Sequence, residues 1–144
     1  MTGVDMEAMN AFMAEPRNAI VAGVLKDGSP QLTPNWFLWD GHRFYISTTR
    51  DRAKFRIFSR DRRVKLMIDD ATGFRYISVA GTVEIGTDVD EGLMFFRGLR
   101  HKHGRDEQDD DQLRAEMVRD GRVLLIVTPD RPQNEWHARG FDRV

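Results

Sequence analysis

The chain of 144 residues contains no cysteine, so disulfides, thiolate nucleophiles and cysteine-held metals are excluded. No apolar run approaches the length of a membrane span, and no basic-then-apolar leader opens the chain. The expectation is a cytoplasmic protein with no membrane partner. Charge of either sign is not in excess: 22 Lys and Arg face 23 Asp and Glu, a net −1, so no global attraction to nucleic acid is expected. No Gly-x-Gly-x-x-Gly follows a predicted strand, which removes a doubly wound nicotinamide site, and no Gly-x-Ser-x-Gly elbow signals a hydrolase.

What the chain has is a local concentration of cations. Arg50, Arg52, Lys54, Arg56, Arg60, Arg62, Arg63 and Lys65 are opposed in their own stretch only by Asp51 and Asp61. The stretch follows a short β-pattern, Arg43-Phe44-Tyr45-Ile46, and three hydroxyls, Ser47, Thr48 and Thr49. Asp51 is placed to cap a helix carrying Phe55 and Phe58. Hydroxyls, free backbone N–H groups, a helix dipole and cations then converge on one point, which suits a phosphate. A charged, solvated helix face is the plainer alternative.

The remainder reads as strands with short helices. Met6, Met9, Phe12 and Met13 predict a helix over 4–15, stopped by Pro16. Residues 19–25 form a strand, and Asp27-Gly28 a hairpin turn into a second strand over 30–39. Pro34 marks an edge, bulge or rim there, and polar groups beside Trp36 suit one wall of a flat-ligand pocket as well as a barrel core. Strands follow over 64–68 and 74–85, with Gly81 expected to permit a bend or bulge. Helices are predicted from Asp88 to about Arg100, and around Leu113, Met117 and Val118. His101 to Arg105 reads as a polar loop, where His101 and His103 with Asp109 or Asp110 form only a weak metal candidate; no metal is expected. The dense apolar run 122–128 is the last strand. Early strands without crossover helices exclude a parallel sheet. One domain over 1–144 is expected, mainly β with α+β character: a six-stranded antiparallel barrel with short flanking helices.

Two segments carry a resemblance. Asp-Gly-Ser-Pro-Gln-Leu-Thr-Pro-Asn-Trp-Phe (27–37) and Tyr-Ile-Ser-Thr-Thr-Arg-Asp-Arg-Ala-Lys (45–54) resemble the pyridoxamine 5′-phosphate oxidase-like split β-barrel proteins of the FMN-binding type, and most of all the branch using the deazaflavin coenzyme F420. The likeness continues through Ala80-Gly81-Thr82-Val83 and Arg122-Val123-Leu124-Leu125. It implies a homodimer with cofactors at the subunit interface. It implies that Ser47, Thr48, Arg52 and Lys54, with the backbone at Ala53, hold the cofactor phosphate. Arg56 and Arg60 become candidates for the anionic tail of coenzyme F420. Gln31, Thr33, Pro34 and Trp36 would border the ring, with Tyr76 and Ser78 near the substrate side. The implied activity is hydride transfer from reduced deazaflavin to an electron-poor small-molecule acceptor. FMN in the same fold, or a non-catalytic cofactor carrier, are the alternatives.

Overall fold

The structure, a computed structural model, describes residues 3–142. Helix α1 (Met6–Ala14) starts where Asp5 accepts a hydrogen bond from the Ala8 N–H at 3.0 Å. Its Met9, Phe12 and Met13 are buried. Eight antiparallel strands follow: β1 (Asn18–Val24), β2 (Pro30–Trp36), β3 (Leu38–Trp39), β4 (Phe44–Thr49), β5 (Arg63–Asp69), β6 (Tyr76–Gly86), β7 (Arg122–Pro129) and β8 (His137–Arg139). Between them lie α2 (Ala53–Arg60), α3 (Val89–Lys102) and α4 (Asp110–Asp120). The strands form one sheet in the order β2-β1-β5-β6-β7-β4-β3, with β8 also paired to β6. The architecture is the split barrel, α+β in class, with eight strands where six are legible. The two extra strands, β3 and β8, have two and three residues, too short for a periodicity to register.

The sheet curls around Phe37, Phe44, Ile46, Leu66, Ile68, Ile77 and Leu125, all fully enclosed. Helix α2 inserts Ile57 and Phe58 into the same core, so truncating Phe58 to alanine costs about 3–5 kcal/mol. This packing fixes α2 against β1 and β4.

Several sequence expectations are corrected. Of the three roles open to Pro34, the edge is the one observed: β2 is an edge strand, and its register with β1 runs unbroken past Pro34, which pairs with Ile20, so no bulge forms there. The break falls at Phe37, whose buried ring turns the chain inward. Gly81 makes no bulge; a Cβ there would lie 2.7 Å from the Thr128 carbonyl oxygen, so the glycine permits close strand approach. Asp51 caps nothing. Arg52 is the N-cap of α2 and makes no side-chain cap bond, while the Asp51 carboxylate accepts from the Thr49 hydroxyl. That bond holds the Asp51 carboxyl below its ordinary range. Finally, His101 and Lys102 continue α3, and Val118 faces solvent on α4.

Candidate anion-binding groove

The groove begins with an unfinished strand pairing. Leu38 and Trp39 of β3 pair with Tyr45 and Phe44, then β3 ends. Beyond Tyr45 the outer edge of β4 has no strand partner among the described residues, while its inner edge pairs with β7 down to Thr49↔Arg122. Into this gap come the end of β2, the start of α2 and the inner face of α3. They enclose about 370 Å³ lined by Asn18, Pro34, Asn35 and Trp36, by Ser47 and Arg52, by Phe96, Leu99, Arg100 and Arg105, and by Glu116 and Arg122. Four arginines meet a single carboxylate.

Of the four, Arg122 is the one with an enclosed nitrogen lacking a partner among the described residues. Its guanidinium reaches the Ser47 hydroxyl only at 3.5 Å, its carbon lies 5.1 Å from the Phe96 ring centre, and its Nε is enclosed without a hydrogen-bond partner among the described residues. Burial, and then the neighbouring Arg52, push its pKa below the ordinary arginine value. An enclosed donor without an acceptor costs about 1–3 kcal/mol, more when charged. An anion in the groove would complete it.

Lys54 stands behind the groove wall. It is 7 % exposed, and its ammonium donates to the Thr33 hydroxyl at 3.1 Å, which in turn donates to the Asn35 side-chain oxygen at 3.1 Å. Burial first, and Arg52 second, lower its pKa. The relay ties α2 to β2 and presents Asn35 to the groove.

The structure therefore brings together Pro34, Trp36, Ser47 and Arg52 in the lining, with Thr33 and Lys54 directly behind. Thr48 is buried on the opposite side of β4, its hydroxyl enclosed and unpartnered. Gln31 pairs with Gly23 farther along β2, outside the groove. Ala53 and Arg56 border a separate shallow recess with Leu25, Lys26, Asp27, Ile57 and Arg60. Arg56 there donates to the Asp51 carbonyl at 3.2 Å and Arg60 to the Val24 carbonyl at 2.8 Å. Tyr76 and Ser78 do not line the groove; the Tyr76 hydroxyl lies 3.1 Å from His137 Nε2.

Sequence reasoning missed Asn18, Arg100, Arg105 and Arg122. For Arg122 a signal was present: a lone cation opening a dense apolar strand. A larger recess of about 500 Å³ lies between α3 and α4, where Arg97, Arg100 and Arg105 face Asp106, Glu107 and Asp110. Its charges neutralise one another, and an ion pair joins Arg97 to Asp110. It makes no comparable demand for an anion.

The chain also resembles known proteins in sequence and in shape. Residues 6–134 match the family model described as pyridoxamine 5′-phosphate oxidase, and the chain belongs to that family. Among solved structures it is similar to an F420 reductase, with 26 % identity over 85 % of this chain and 93 % of the other, at a TM-score of 0.69. It also resembles a conserved hypothetical protein from Mycobacterium tuberculosis, with 21 % identity over 87 % of this chain and 80 % of that one, TM-score 0.75. A third likeness is to the haem storage protein HutZ from Vibrio cholerae, at 14 % identity, 95 % and 96 % coverage and TM-score 0.73. At 21 % and 14 %, the last two show the fold alone.

Proposed function

We propose that this protein is an F420-dependent oxidoreductase that reduces an electron-poor, conjugated small molecule. The observation that carries the reading is the Arg122 guanidinium, its Nε enclosed without an acceptor beside Ser47 and Arg52. The donor set fits the phosphate of a phosphate ester: a planar guanidinium, a hydroxyl and a second guanidinium on one side of a groove. Trp36 offers an aromatic wall next to that cradle, as a phosphorylated planar cofactor requires. Membership of the pyridoxamine 5′-phosphate oxidase family supports a flavin-type cofactor, and the 26 % identity to an F420 reductase supports the deazaflavin. When bound, the reduced deazaflavin supplies the hydride.

The chain's own residues do the rest. Arg122, Ser47 and Arg52 hold the phosphate, and the Lys54–Thr33–Asn35 relay keeps the β2 wall at a fixed distance from α2. Phe96 and Leu99 exclude water from the side facing α3. FMN is the alternative cofactor, since its terminal phosphate fits the same cradle. A homodimer is part of the proposal: β2 is an edge strand with Leu32 62 % exposed on it, a surface that a second copy would cover.

The test is binding of oxidised coenzyme F420 and of FMN, side by side, by fluorescence quenching. Micromolar binding of the deazaflavin with FMN much weaker supports the proposal. Preference for FMN moves the protein to the flavin reading, and binding of neither overturns both.

A further inference from the structure

Trp36 ends β2 and lines the groove beside the cations. One face of its indole is covered by another flat ring. The His103 imidazole lies parallel to it, with ring centres 4.1 Å apart and planes within 6°. The Arg105 guanidinium sits 5.3 Å from the same indole.

The backbone that delivers His103 is firmly held. His103 caps α3, and the helix closes with the Arg105 N–H donating to the Arg100 carbonyl at 2.9 Å and the Gly104 N–H to the His101 carbonyl at 3.1 Å. This double closure needs a left-handed residue, supplied by Gly104 at φ +66°. Next to it, the Lys102 ammonium donates to the Met13 carbonyl at 2.7 Å and the Phe37 carbonyl at 2.8 Å. Those two oxygens lie at the end of α1 and in the gap between β2 and β3, where no ladder serves them. The end of α3 is thereby pinned to the barrel.

The imidazole itself is held differently. Its Nε2 is enclosed and makes no hydrogen bond among the described residues. Burial, and then Lys102 and Arg105, lower its pKa, which favours the neutral ring. Leaving costs the side chain this one stacked contact and no hydrogen bond at Nε2, while the backbone stays.

We propose that the Trp36 face beneath His103 is the ring-stacking subsite of the groove, and that His103 is a displaceable place-holder on it. A planar heteroaromatic ring joined to a phosphate enters against Trp36 as the imidazole rotates away about its Cα–Cβ bond. The phosphate then rests on Ser47, Arg52 and Arg122. The inference builds on the cofactor reading and adds a residue that tunes which rings are admitted.

The experiment compares the wild type with His103→Ala, His103→Gln and His103→Trp, titrating each with oxidised coenzyme F420, FMN and inorganic phosphate. Thermal melts confirm that each variant folds. With the competing stack removed, His103→Ala binds the ring-bearing ligands about 5–10-fold more tightly. His103→Trp binds them more weakly, and phosphate affinity is unchanged in all. In the wild type, the His103 ring-proton resonances, shifted upfield by the indole, move on saturation with whichever ring ligand binds. Unchanged or weaker ring binding by a folded His103→Ala, with His103→Gln agreeing, overturns the place-holder while leaving the cofactor reading intact. If neither the wild type nor His103→Ala binds either coenzyme, both proposals fall.

Discussion

Arg60 and Arg122 are both arginines near α2, yet they meet their surroundings in opposite ways. Arg60 is exposed and donates to the Val24 carbonyl at 2.8 Å. Arg122 is half-buried, faces Arg52, and keeps an enclosed Nε without a partner. The sequence concentrates charge around Arg60, but the structure concentrates need around Arg122. Counting cations locates a basic patch; desolvation and missing acceptors locate a site.

The largest effect expected is from Arg122→Gln. Loss of a charged hydrogen bond to phosphate, about 1.5–3 kcal/mol, weakens binding of the deazaflavin or FMN by about 10–100-fold. The melting temperature without ligand holds or rises, because the substitution removes a buried charge repelled by Arg52. A drop in melting temperature with unchanged affinity would make Arg122 structural and dissolve the contrast with Arg60.

Lys102→Met is next, and it asks whether a buried cation with its acceptors present behaves differently. Leaving the Met13 and Phe37 carbonyls unserved lowers stability in urea unfolding by about 1–3 kcal/mol. The pH dependence has a definite sign. Burial lowers the Lys102 pKa from 10.5 to about 8, so the unfolded chain holds more protons between those values. The titration-linked stabilisation is fully present above 10.5 and lost as pH falls through 8. Wild type should gain stability relative to Lys102→Met as pH rises across that window, and parallel profiles would contradict this.

Lys54→Met should weaken anion binding by about 3–10-fold at neutral pH, a loss tempered by its distance behind the lining. Because burial and Arg52 lower its pKa, wild-type affinity declines on alkalinisation before an ordinary lysine would titrate. Affinity measured against pH should show that decline in the wild type and not in the variant. Smallest is the Arg56→Ala, Arg60→Ala double substitution, which should cost less than about threefold at moderate salt because both side chains are solvent-screened. A larger loss for coenzyme F420 than for FMN would assign them to the anionic tail after all.

Much of the barrel is legible in the chain. The alternation in β5 and β6, the Asp27-Gly28 turn, and the dense run of β7 reflect periodicity and turn chemistry, which act over a few residues. So do Ser47, Arg52 and Lys54, which share one strand–helix junction and could be grouped without a fold. The residues of β3 and β8 were illegible because two or three residues carry no period. His101 to Arg105 looked like a polar loop because charge suggests solvent; only packing shows Lys102 satisfying two buried carbonyls and His103 lying flat on Trp36.

The sequence by itself determined the antiparallel character and the place of the cationic junction, since these follow from local pattern, while its motifs carried the resemblance to the family. Only the tertiary structure decided that Arg122 joins Ser47 and Arg52 in one groove, across a strand pairing that spans 73 positions from Thr49, and that Arg56 and Arg60 border a different recess. Side-chain chemistry is written locally, whereas burial and the presence of a partner are set by contacts between distant segments.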